Sequence, residues 1–211
     1  MRVARRPCLV GLTGGLASGK STVARLLESR GLPVLDADRE VHRLYRPGAA
    51  GAELVARLFG DTLLAADGGV DRSALAQRVF AEPAALVRLN TAIHPLVRAA
   101  VASWVAGLGR GADQPPVAVV EAALLVGSAG RDAYDLLVVV WCTPRQQLER
   151  AVARGMSEER ARAVLAAQLP IDVMRDAADV VIDNSGPPEA LAAEVDRAWG
   201  EVLELCARRR R

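Results

Sequence analysis

The chain has 211 residues, 51% of them hydrophobic and 25% charged, which suits one globular domain or one core carrying a smaller insert and excludes wholesale disorder. A formal charge of +2 is too small to point to a nucleic-acid partner, and no apolar run approaches the roughly 18 residues that would cross a bilayer. Cys8, Cys142 and Cys206 are odd in number and far apart, fitting neither a disulfide framework nor a zinc site. The early apolar stretch breaks at Thr13-Gly14-Gly15 and makes a poor signal peptide, so a cytoplasmic location is expected.

CLVGLT (8–13) reads as a buried strand closed by glycines, and apolar Val23, Ala24, Leu26 and Leu27 then recur at helical spacing from Ser21 to Arg30. A second short strand, Leu32 to Leu35, ends at Asp36-Ala37-Asp38. Residues 39–110 look helical and interrupted, with Gly68-Gly69 and several prolines as punctuation. VAVVEA (117–122) and DLLVVVWC (135–142) are the third and fourth strands. After Thr143-Pro144 one long helical stretch is expected toward Gln168, followed by a fifth strand, DVVIDN (179–184), and a closing helix opened by proline. Short apolar strands alternating with helices predict an α/β fold, a five-stranded parallel sheet covered on both faces. Its ligands should bind at the carboxyl ends of the strands.

Directly after the first strand, Gly14-Gly15-Leu16-Ala17-Ser18-Gly19-Lys20-Ser21-Thr22 fits the phosphate-loop pattern G-x-x-x-x-G-K-[ST] in its strand-loop-helix context. Small residues let backbone N–H groups curl around phosphate oxygens, and the following helix adds the positive end of its dipole. Residues Gly15 to Thr22 are therefore the expected ATP site, with Lys20 on the β- and γ-phosphates and the Ser21 hydroxyl on Mg²⁺. Among the 27 basic residues Lys20 is the only lysine, which suggests a place where a planar guanidinium does not fit. Asp36 and Asp38, two apart in extended chain, leave one face; a carboxylate there can take the proton of an attacking hydroxyl or place Mg²⁺. Asp38 can also be read as a helix N-cap. Glu121, closing the third strand, stands as a metal-facing acid or as a buried acid with a structural partner.

The blocks GLTGGLASGKSTVARLLESRGLPVLDAD, Asp67-Gly68, Asp71-Arg72, Val79-Phe80, Ile93 to Val97, Arg154, Ala167-Gln168 and Ala178 to Gly186 together resemble dephospho-CoA kinases over almost the whole chain. The resemblance implies a P-loop NTPase fold with a core at about 1–40 and 111–211, a helical CoA-binding insert at about 41–110 and a lid at about 145–170. It implies ATP-dependent phosphorylation of the ribose 3′-hydroxyl of dephospho-CoA, the last step of coenzyme A synthesis, with ATP and Mg²⁺ and without nucleic-acid or membrane partners. By matching motifs Asp38 is the general base, Lys20 the phosphate clamp and Arg154 the lid arginine. Asn184 lies near the adenine, and His94, with Asp36, Leu124 and Leu125, belongs to the acceptor side. The neighbour Pro95 also gives His94 a reading as a helix start or kink.

Three departures stand out. Ala17 occupies a place where the family usually has glycine. Glu121-Ala122-Ala123-Leu124-Leu125-Val126-Gly127 replaces D-x-P-L-L-F-E, keeping only the two leucines. Met174 stands where lysine is frequent, with Arg175 beside it as a substitute. Other small-metabolite or nucleoside monophosphate kinases share such a core, and a non-catalytic nucleotide-binding homologue is the remaining alternative. A GTPase is excluded because N-K-x-D needs a second lysine.

Overall fold

The computed structural model describes residues 6–109, 115–123, 125–126 and 131–209. The chain forms two compact units, residues 1–35 with 108–211, and residues 36–107. The second begins five residues before the expected insert boundary because the helix after the second strand starts at once.

In the first unit β1 (Cys8–Thr13), β2 (Val34–Asp36), β3 (Val117–Glu121), β4 (Leu136–Trp141) and β5 (Val180–Asp183) form one sheet in the order β2-β3-β1-β4-β5. β1 pairs in parallel with both β3 and β4, and β4 with β5. β1 is thus central: its own crossover runs to β2 on one side, while β3 connects to β4 on the other, and this reversal marks the crevice at the carboxyl ends. All six β1 residues are buried, because helices cover both faces. Val10, Leu12, Val138, Val140 and Ile182 face α1 (Lys20–Ser29) and α9 (Leu191–Arg209) through Val23, Leu27, Val195, Ala198 and Val202. Trp141 alternates to the other face, where its Nε1 donates to Asp172 Oδ1 at 2.8 Å on α8 (Ile171–Asp176). No helix among the described residues is long and apolar enough to cross a membrane.

The second unit is helical: α2 (Ala37–Leu44), α3 (Ala50–Phe59), α4 (Arg72–Ala81) and α5 (Pro83–Gly107). Its own core gathers Ala52, Val55, Leu63, Val70, Leu75 and Leu89. Asp71 starts α4 by accepting from the Ser73 and Ala74 amides, and the Gly68-Gly69 stretch is a turn closed by the Leu64–Val70 bridge.

Four expectations need correction. Asp36 and Asp38 do not share an extended face: β2 ends at Asp36, whose side chain accepts from the Arg39 amide at 3.0 Å and caps α2, leaving Asp38 in the first turn. The N-cap is therefore Asp36, not Asp38. Pro95 neither starts nor ends a helix but lies inside α5. The stretch from Pro144 to Gln168 is two helices, α6 (Pro144–Ala153) and α7 (Glu158–Ala167), because Gly155 turns at φ +90° and Ser157 caps the next helix. Finally, Cys8 and Cys206 form a disulfide with a Cα–Cα distance of 5.9 Å, while Cys142 is free and buried. Sequence spacing hides this pair, since only the fold brings the start of β1 to the last turns of α9.

Candidate active site

The loop between β1 and α1 is shaped by backbone conformation. Gly19, the N-cap of α1, sits at φ +101°, and an added Cβ there would collide with the Asn184 amide. Ala17 adopts φ +53°, a left-handed conformation that costs an L-residue roughly 1–2 kcal/mol. The glycine that the resemblance leads one to expect here would carry no such strain. α1 opens without a side-chain cap and without an acidic residue in its first turn, which leaves its positive dipole end for an anion.

Around this loop lies a cavity of about 430 Å³ lined by Gly14 to Thr22 together with Arg25, Ala123, Arg154 and Gln168. At its floor Lys20 Nζ donates to Glu121 Oε1 at 2.8 Å, and Ser21 Oγ donates to the same oxygen at 2.7 Å. Glu121 is buried at 6% exposure, so this carboxylate is held in place by both partners. The phosphate-loop lysine and hydroxyl thus converge on one acid, uniting its two readings: a structural partner now, and an oxygen ligand within reach of Ser21. Among the described residues no group of three or more His, Cys, Asp or Glu could hold a metal by itself. One hydroxyl and one carboxylate are nevertheless the hard oxygen donors that suit Mg²⁺, which takes its other ligands from water and phosphate.

Arg154 is the C-cap of α6, exposed, and lines the cavity; sequence reasoning had this position from the motif alone. Arg25 was missed. It stands one helical turn after Ser21, and its Nε donates to the Ser21 carbonyl at 3.2 Å, so the i, i+4 spacing was the available signal. Arg150 is bonded to the Asn184 carbonyl at 2.9 Å, and Arg162 pairs with Glu158, so neither belongs to the cavity lining. Arg175 stacks on Trp141 at 5.1 Å and Met174 is buried, and neither lines the cavity.

Asn184 is buried and its Nδ2 donates to the Ser18 carbonyl at 2.7 Å. It thereby braces the loop. Leu125 is buried against Gly11, where an added Cβ would lie 2.7 Å from its Cδ1; Leu124 and Gly127 lie outside the described residues. In the helical unit, Asp36 is the α2 cap and Asp38 is in that helix's first turn. His94 is half-buried in mid-α5, and burial, then the Arg98 charge, lowers its pKa below the usual imidazole range.

A family model described as dephospho-CoA kinase matches residues 8–189. A dephospho-CoA kinase of Anaeromyxobacter dehalogenans is 44% identical over 195 residues, covering 92% of each chain. A solved Thermus thermophilus protein superposes with a TM-score of 0.79 at 33% identity, covering 95% of this chain and 98% of that one. A dephospho-CoA kinase from Campylobacter jejuni shares the fold with a TM-score of 0.67 at 23% identity, covering 94% and 98%. A phosphate loop at the mouth of a parallel sheet admits many kinases, but a match running from the first strand past the fifth does not, and the chain belongs to the dephospho-CoA kinase family.

Proposed function

We infer that the protein transfers the γ-phosphoryl group of ATP to the 3′-hydroxyl of the ribose in dephospho-CoA, giving CoA and ADP in the final step of coenzyme A synthesis. The observation that carries this reading is the family match across residues 8–189. The convergence of Lys20 and Ser21 on Glu121 beneath the phosphate loop supports it.

In this reading the amides of Gly15 to Thr22 cradle the triphosphate, and Lys20 leaves Glu121 to neutralise its β- and γ-oxygens. Ser21 and Glu121 would hold Mg²⁺, which would supply charge neutralisation and orientation of the phosphates. Arg154 meets the charge that develops on the transferring group. Asp38 accepts the proton of the attacking hydroxyl, with its neighbour Asp36 fixing the helix that carries it. His94, Leu125 and Leu124 belong to the acceptor side, where a largely neutral His94 would donate or accept a hydrogen bond rather than carry charge. Asn184, which braces the loop, lies near the adenine of ATP. With a formal charge of +2 and no apolar run long enough to cross a bilayer, the reading carries a cytoplasmic location and no nucleic-acid or membrane partner.

The test is a coupled assay of ADP release with and without dephospho-CoA, with the product identified by mass. ADP release that depends on dephospho-CoA and yields CoA is expected. ATP turnover indifferent to the acceptor, or faster with adenosine or AMP, would contradict the assignment.

A further inference from the structure

Both polar atoms of a single phosphate-loop residue are engaged by the segment that carries Arg154. Gln147 Nε2 on α6 donates to the Leu16 carbonyl at 2.9 Å. Gln168 Oε1, at the C-cap of α7, accepts from the Leu16 amide at 2.9 Å. Gln147 is 3% exposed and lies so close to Gly15 that a Cβ there would collide with its amide nitrogen. Gln168 lines the cavity. A backbone residue whose N–H and C=O are both bonded to side chains has a fixed orientation.

The placement of these two glutamines matters. Gln147 sits near the start of the α6–α7 pair and Gln168 at its end, while Arg154 falls at the break between the helices. The helix pair is thus tied at both ends to one point of the loop, and the arginine sits between the ties. On the loop side, Leu16 immediately precedes Ala17, the residue in the left-handed conformation, and Ser18, the next, is held by Asn184. A strained residue persists only where its neighbours over-determine it, and here both neighbours are pinned by side chains.

We propose that Gln147 and Gln168 are positioning residues for phosphoryl transfer: by clasping Leu16 they fix Arg154 over the phosphate loop and hold Ala17 in its strained conformation. The proposal rests on the reading of Arg154 as the group that meets the transferring charge. Neither glutamine touches the reacting atoms. Their effect is on the geometry from which Arg154 acts, where displacement by about 1 Å is enough to lower a rate by orders of magnitude.

The experiment is a double-mutant cycle read in kcat, KM for ATP and Tm, using Gln168→Met, Arg154→Ala and their combination in the full chain. Methionine matches glutamine in length but offers Leu16 no oxygen. Gln168→Met should lower kcat roughly tenfold or more while KM for ATP moves far less, because the loop remains held by Asn184 and Glu121. In the Arg154→Ala background the same substitution should cost nothing further. Gln168→Glu keeps an accepting oxygen and should restore most of kcat at saturating ATP. Independent, multiplying losses would overturn the proposal, as would a change confined to KM for ATP or to Tm. So would a Gln168→Glu enzyme as slow as Gln168→Met, which also decides the matter should the methionine variant misfold. Full activity of Arg154→Ala by itself would instead remove the reading of Arg154, and the clasp's proposed function with it.

Discussion

The two ends of the central sheet are built to opposite plans. At the amino ends of the strands the polar and sulfur groups are closed off. Asp135 precedes β4, accepts from the Leu9 amide at 2.7 Å and pairs with Arg6. Asp179 repeats the pattern before β5, accepting from the Leu137 amide at 2.7 Å and pairing with Arg131 and Arg209. The Cys8–Cys206 disulfide ties the same end to the closing helix. At the carboxyl ends the plan reverses: Ala17 is strained, the buried Ser18 Oγ has no hydrogen-bond partner among the described residues, and Lys20, Arg25 and Arg154 line an open cavity. A fold only marginally stable as a whole can carry strain at one end when ion pairs, hydrogen bonds and a cross-link hold the other.

If that division holds, substitutions at the carboxyl end should change rate far more than stability, and those at the amino end the reverse. The largest effect is expected at the base assigned to the reaction. Asp38→Asn should lower kcat by on the order of 10²–10⁴, the usual range for acid–base catalysis, with ATP affinity nearly intact. Steady-state kinetics beside a melting curve check it, and an unchanged rate with a lower Tm would make Asp38 a purely structural first-turn acid.

At the amino end, opening a cross-link that spans 198 residues should destabilise the fold by about 2–4 kcal/mol. Tm compared with and without reductant, and in Cys8→Ser, measures this, and kcat should not move. Thiol counting in denaturant should find one free cysteine before reduction, Cys142, and three after it. Three thiols before reduction would remove the staple from the comparison.

Ala17→Gly releases the left-handed strain and should raise stability by roughly 1 kcal/mol, the low end of the penalty for an L-residue there. This would be a stabilising change at the active end, read as a higher denaturation midpoint. A destabilising effect would mean that glycine's freedom in the unfolded chain outweighs the strain.

The smallest effect concerns pH. Burial, and then Arg98, lower the His94 pKa, so the folded chain binds this proton less readily than the unfolded chain, whose histidine titrates near 6.5. Stability should therefore rise with pH between the lowered folded value and the unfolded one, and the part due to His94 should vanish in His94→Gln. An NMR titration placing the imidazole above 6.5 would reverse the sign.

Much of the carboxyl end was legible in the sequence, and little of the amino end. The phosphate loop declares itself because its chemistry dictates residue types at fixed spacing, and β1 was read to the residue. Glu121 was suspected from its place at a strand end. The sequence admits an N-cap reading of Asp38 beside its reading as a base, but the cap is Asp36, because two acids spaced by one residue satisfy either register and only the backbone decides between them. The break at Gly155 lay inside a stretch rich in helix formers. Gln168 is marked in the sequence only as part of a motif block, and its contact with Leu16, like Gln147 and the Cys8–Cys206 pair, is invisible there for a common reason: each acts across more than 130 residues of chain, a distance no local pattern encodes.

The central claim is that the open end is a phosphate site whose dimensions demand this one lysine. Lys20→Arg keeps the charge but places a planar guanidinium where Lys20, with Ser21, meets the buried Glu121. The measurement is the dephospho-CoA-dependent rate of ADP release by Lys20→Arg, on a preparation whose Tm matches the native protein. The account predicts the loss of most phosphoryl transfer, and a near-native rate in that folded variant would contradict it.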